Sequence, residues 1–180
     1  MSKQLQAFAT LQDIASRSLQ LAKGLPAQAN VVPLWSGIGF TLGGYRFVAP
    51  VGEVSEILVQ PPATRLPGVK PWVRGVSNVR GKLLPLIDLE VFFGGALSGG
   101  RKNHRVLSLE LGELYTGLIV NEVHGMQHFP VDTFSNELPA GVEALAPFLA
   151  GSYQQNGDTW VVFSTFKLAQ NADFMNAAAS

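Results

Sequence analysis

Apolar positions at the start of the chain recur every three or four residues; beyond residue 33 the period falls to two. Leu5, Phe8, Leu11, Ala15, Leu19 and Ala22 keep helical spacing, which predicts an amphipathic helix over residues 3–23. Gly24 and Pro26 stop it, and a linker runs on to Pro33. From Leu34 the pattern is that of strands. Gly39 to Leu42 and Tyr45 to Val51 flank Gly43-Gly44, a pair that takes positive φ readily, so a hairpin is predicted. Glu53 to Val59 alternates, with Val54, Ile57 and Val59 set against Glu53, Ser55 and Glu56, and Pro61-Pro62 ends the run. Arg65 to Gly95 then packs a proline-flanked approach, a tight hairpin at Asn78 to Gly81, an apolar strand Lys82–Ile87 and a short helix capped by Asp88 into one segment.

These devices recur. Leu42-Gly43 returns as Leu111-Gly112, and that offset of 69 also pairs Val51 with Val120 and Glu53-Val54 with Glu122-Val123. Further on, an offset of 76 pairs Gly75 with Gly151, Gly81 with Gly157, and Asp88 with Ser164, each of the last two a good helix N-cap. The expected fold is mainly β: two similar small barrels, at about 34–97 and 104–168, joined through Ser98-Gly99-Gly100. Closure is expected because short strands cannot otherwise protect their edges. Accessory helices are expected near Gly141–Ala146 and at 165–176. The domain plan is therefore an N-terminal helix and linker at 1–33 and a double barrel at 34–175.

Composition narrows the function. Thirteen basic and thirteen acidic residues give a net charge of zero, without the positive excess that nucleic-acid binding requires. Charged residues make up 14%, against about 25% in ordinary domains, which suggests an apolar surface suited to protein partners. Cysteine is absent, so thiol catalysis and disulfides are excluded, in keeping with a reducing cytoplasm. No run approaches the roughly 18 apolar residues that span a bilayer. Ala27-Gln28-Ala29 mimics a cleavage site, but Gln12, Asp13, Arg17 and Lys23 interrupt the segment before it.

Catalytic patterns fail one by one. Gly37-Ile38-Gly39 lacks the third glycine of a dinucleotide fingerprint. Gly75 to Val79 ends in valine where a nucleophile elbow needs glycine. His124 and His128 on one strand would stand about 13 Å apart, too far to share an ion. No enzyme, metal or cofactor is expected. Structural roles remain: Gly75 as a repeat-related motif glycine, Gly81 for positive φ, Asn78 to bond the turn backbone, Asp88 as cap, and Pro85 as the mark of an edge or bulge position. Arg80, beside the turn, is either a solvated charge or a fixed contact to a carboxylate.

Pro67, Pro71, Gly75, Asn78, Arg80, Gly81, Pro85, Asp88 and Leu89, at these spacings, resemble the signature of the CheW family of chemotaxis adaptors. Phe40-Thr41-Leu42-Gly43 with Val51, Val54, Glu56 and Ile57 is similar to that family's opening strands, and Leu107–Met126 and Trp160–Leu168 to its second half. The resemblance covers about residues 38–170. WSGIGF, LPGVKPWVRGVSNVRG and GMQHFPVDTF are similar to the branch that serves type IV pilus twitching. It implies two five-stranded SH3-like barrels without catalysis or cofactor. The implied partners are the cytoplasmic tip of a methyl-accepting chemoreceptor and the regulatory domain of a CheA-type histidine kinase. It implies a cytoplasmic protein recruited to membrane-associated receptor arrays, with neither membrane insertion nor nucleic-acid binding of its own. By position, Val51, Val54 and Glu56 fall where the family's first barrel meets receptor, and Arg80 where changes disturb signalling. The alternative is a double-barrel module of the kinase-regulatory type that binds only receptors or other CheW-like domains.

Overall fold

Eleven strands and three short helices follow one another along the part of the chain described by a computed structural model, which covers residues 32–97, 99–100 and 102–178, with Arg17. The helix expected at 3–23 and its linker otherwise lie outside the described residues. The strands are β1 (Leu34–Leu42), β2 (Tyr45–Pro50), β3 (Glu56–Val59), β4 (Val73–Val79), β5 (Lys82–Asp88), β6 (Arg105–Leu111), β7 (Leu114–Val120), β8 (Glu122–Pro130), β9 (Phe134–Ser135), β10 (Leu149–Gln155) and β11 (Asp158–Phe163). The helices are α1 (Leu89–Phe92), α2 (Thr165–Ala169) and α3 (Ala172–Met175). The single terminal helix expected at 165–176 is thus two, because Asn171 starts a new one by accepting from the Phe174 N–H.

Two sheets form, in the orders β3-β6-β7-β5-β4 and β8-β1-β2-β11-β10-β9. The fold is the expected pair of similar five-stranded SH3-like barrels, with β9 a two-residue addition to the second. The chain is not divided between them as expected, however. The joint near residues 98–100 falls inside the first sheet, between β5 and β6, so the proposed limits 34–97 and 104–168 are not those of the sheets. That sheet is the continuous stretch 56–120, and the other combines 34–50 with 122–163. In terms of the repeat, each sheet joins the first hairpin of one half to the third strand and second hairpin of the other. The crossings are short: only Asn121 separates β7 from β8, which lie in different sheets.

The repeat itself is accurate to the residue. Bulges fall at Val73/Gly75 and at Leu149/Gly151. The turns Arg80-Gly81 and Asn156-Gly157 share φ values of 53° and 83°. Parallel pairing joins the two hairpins within each sheet, Leu86 opposite Gly117 in one and Val162 opposite Val48 in the other. Asp88 and Ser164 both cap helices, accepting from the Val91 and Lys167 N–H groups.

Alternation along the strands feeds three cores. Val48, Phe129, Tyr153, Trp160 and Val162 fill one barrel, and Leu84, Leu86, Val106 and Ile119 the other. Their neighbours of opposite parity, among them Phe47, Ala49, Ile87, Leu107, Leu109 and Val161, join a third cluster drawn from both sheets. Strands buried on both faces read as nearly continuous apolar runs. The sparse charge therefore has an internal cause, which the composition alone had assigned to the surface. Within the third cluster Phe40, Phe47 and Phe163 pack with centroids 5.6–6.2 Å apart. They tie the first hairpin to the last strand, each burial stabilising by roughly 2–3 kcal/mol.

Pro85 refines another expectation. Expected at an edge or a bulge, it lies in β5, an interior strand flanked by β4 and β7, with the β4 bulge at Val73/Gly75 opposite the next two residues, Leu86 and Ile87. Parallel pairing with β7 begins only at Leu86, so the proline's missing N–H is not called on there. Its carbonyl accepts from the Thr116 hydroxyl at 3.2 Å.

Candidate protein-binding surface

The tight turn between β4 and β5 is built as its residues demand. The Asn78 side-chain oxygen accepts from the Gly81 N–H at 2.9 Å, and Gly81 supplies positive φ without a β-carbon. Gly75 is required for a second reason. Loop residue Thr64 exchanges two backbone hydrogen bonds with Val76, covering the outer edge of β4. A β-carbon on Gly75 would stand 2.1 Å from the Thr64 carbonyl oxygen.

Arg80 is the exception in this turn. Its φ is +53°, a region that costs an ordinary side chain about 1–2 kcal/mol, and the equivalent position in the other half holds asparagine, which tolerates it. The side chain is 80% exposed and its Nη2 donates to Glu56 Oε1 at 2.5 Å. Of the two readings of Arg80, the fixed contact is the observed one, and its carboxylate belongs to β3. β3 and β4 are opposite edges of one sheet, so the pair links the barrel's two margins. Around it lies a cavity of about 290 Å³ lined by Ser55, Glu56, Val79, Arg80, Lys82 and Glu110, among others. Lys82 reaches Glu110 at 3.9 Å, so cations and carboxylates here are matched.

Val51 opens a single 3-10 turn, Val51–Glu53, just before β3, and is 39% exposed. Val54 follows that turn, half-buried against the core shared by the sheets. The structure thus brings Val51, Val54 and Glu56 into one short segment and adds Arg80 through the ion pair.

Asp88 is fully buried and does more than cap a helix. One oxygen accepts from the Val91 N–H at 3.1 Å, the other from Arg74 Nε at 2.9 Å and Arg74 Nη2 at 2.5 Å. Sequence reasoning missed Arg74, although hairpin register sets its neighbour Val73 opposite Ile87. It also missed Glu53, whose Oε2 accepts from the Thr165 N–H at 3.0 Å and its hydroxyl at 2.6 Å, pinning α2 to the turn before β3. The histidines are engaged separately: His124 with Thr41, His128 with Ser36, and His104 with Gln60. No group of three or more potential metal ligands occurs among the described residues, and no helix among them is long and apolar enough to cross a membrane.

A double SH3-like barrel whose conspicuous polar features are turn, cap and surface ion pair defines a binding scaffold. The chain belongs to the CheW family: the family model described as CheW-like domain matches residues 36–173. It is 54% identical to protein PilI of Pseudomonas aeruginosa over 171 residues, 95% of this chain and 96% of that protein. It is 31% identical to protein FrzA of Myxococcus xanthus over 76% of this chain and 83% of that one. Among solved structures, the scaffolding protein TtCheW of Thermoanaerobacter tengcongensis superposes with a TM-score of 0.64 at 22% identity, covering 73% of this chain and 90% of that one. The protein is accordingly a CheW-like scaffold of a chemotaxis-type system.

Proposed function

We infer that this protein is a non-catalytic adaptor that couples methyl-accepting chemoreceptors to a CheA-type histidine kinase, in a system controlling twitching by type IV pili. The likeness to PilI over 95% of the chain carries this reading. It acts in the cytoplasm at receptor arrays, with Val51, Val54, Glu56 and Arg80 contributing to the surface that meets receptor or kinase. The strained turn supports Arg80's place there, since costly backbone conformations cluster where function demands a particular side chain. Weak links suffice, because arrays multiply them through effective concentration.

Calorimetric titration against the regulatory domain of the CheA-type kinase from the same genome should give saturable micromolar binding, about −8 kcal/mol. Absence of heat with both kinase and receptor tip would sink the adaptor reading. Binding to the receptor tip alone would favour a receptor-only module instead. Arg80→Asn separates partner contact from bracing. Relief of about 1 kcal/mol in the turn offsets an exposed ion pair worth about 0–1 kcal/mol, so the melting temperature should hold within about 3 °C while kinase or receptor binding weakens. A drop of more than about 5 °C would make Arg80 a structural brace.

A further inference from the structure

On another part of the first barrel, two adjoining cavities share Arg65 and Arg74 as common walls. One, of about 300 Å³, is completed by Gln60, Ala63, Leu97 and His104. Lys70 joins the two arginines in lining the other, of about 260 Å³. Among the described residues no carboxylate lines either cavity, in contrast to the balanced cavity around Arg80.

The arginines are held differently. Arg74 spends one edge of its guanidinium, Nε and Nη2, on the buried Asp88 carboxylate. That bond fixes the plane of the group and leaves Nη1, with the second Nη2 proton, unspent on a side chain 42% exposed, a fork for another carboxylate. Arg65 is exposed and makes no hydrogen bond or ion pair among the described residues. His104, only 6% exposed, adds a ring held by Gln60 at 3.3 Å. On a chain whose net charge is zero, Arg65 and Lys70, without a carboxylate partner among the described residues, and the unspent edge of Arg74 beside preshaped cavities have an evident complement.

We propose that Arg65 and Arg74, flanked by Lys70 and His104, form a docking site for an acidic segment of a protein partner, one carboxylate taking the free edge of Arg74 and a second pairing with Arg65. The site lies apart from the Glu56–Arg80 pair. It rests on the adaptor reading only in taking the ligand to be part of a protein.

The test is an NMR titration of the full chain, labelled with nitrogen-15, using a hexaglutamate peptide at low salt and inorganic phosphate as a parallel probe. Amide shifts are expected at Arg65, Lys70, Arg74, Leu97 and His104, fading as salt screens the charges. Arg65→Glu touches no internal partner, so its spectrum elsewhere should stay native while the dissociation constant for the peptide rises at least about tenfold, equivalent to about 1.4 kcal/mol. Unchanged affinity in R65E, or shifts confined to other surfaces, would overturn the proposal. So would phosphate shifts matching those of the peptide at equal concentration, which would make this a site for small anions. The titration uses neither kinase nor receptor, so failure of the adaptor reading in the calorimeter would leave its outcome untouched.

Discussion

Residues 1–99 and 100–180, produced as separate chains, are each expected to be unfolded, and to regain the native amide spectrum when mixed in equal amounts. The first fragment keeps β1–β2, β3 and β4–β5 but loses the strands that separate and cover them, since β6 and β7 sit between β3 and β5. The second keeps β6–β7 and β10–β11, yet these lie in different sheets and have no partner in common. Isolated hairpins are marginal in water. The cluster shared by the sheets also divides at the cut, with Phe40, Phe47 and Ile87 on one side and Leu107, Leu118 and Phe163 on the other. Circular dichroism and NMR of the separate and mixed fragments check this. A folded spectrum from either fragment alone would mean that exchange of hairpins between the halves is not what stabilises them.

Asp88→Ala should be the most damaging single change at the signature positions, costing about 3 kcal/mol. The carboxylate is fully buried and serves two elements at once. Loss of an N-cap costs about 1 kcal/mol, and breaking a buried ion pair adds about 3–5 kcal/mol when the remaining charge is stranded. Arg74 is 42% exposed and is rehydrated in the variant, so the pair adds less than that range, about 2 kcal/mol. Chemical denaturation should show a lower midpoint with an unchanged slope, and the melting temperature should fall by roughly 6–12 °C. Asp88→Asn keeps an acceptor for the Val91 N–H and should lose about half as much. A loss below about 1 kcal/mol in the alanine variant would show that the Arg74 contact contributes nothing.

Local devices were legible in the sequence because each rests on a few adjacent residues. The hairpins at Gly43-Gly44 and Gly81, the Asn78 turn, the caps at Asp88 and Ser164 and both repeat offsets were read directly. The allotment of strands to sheets was not, because it depends on two parallel pairings, Leu86 with Gly117 and Val162 with Val48, that leave no mark on periodicity. The same ignorance left an edge among the two positions expected for Pro85, which is interior. In the candidate site, a carboxylate partner for Arg80 was foreseen as one of two readings, but that it is Glu56 follows from the closing of the barrel. Arg74 and Glu53 escaped notice because their partners, Asp88 and Thr165, are met only in the folded chain. The low charge was read as apolar surface, when strands covered on both faces account for much of it.

The nesting of one sheet inside the other also orders events on the ribosome. Residues 56–120 complete the inner sheet as one continuous stretch, whereas β2 waits for β11, Arg46 pairing with Trp160. At about 5–20 residues per second, the 114 positions from 46 to 160 delay that pairing by roughly 6–23 s. Throughout that interval the first hairpin has the outer edge of β2 open, and Phe47 and Val48, both buried in the finished protein, still in water. Its safety until the last strand arrives is a matter of translation speed and early chaperone cover as much as of final stability.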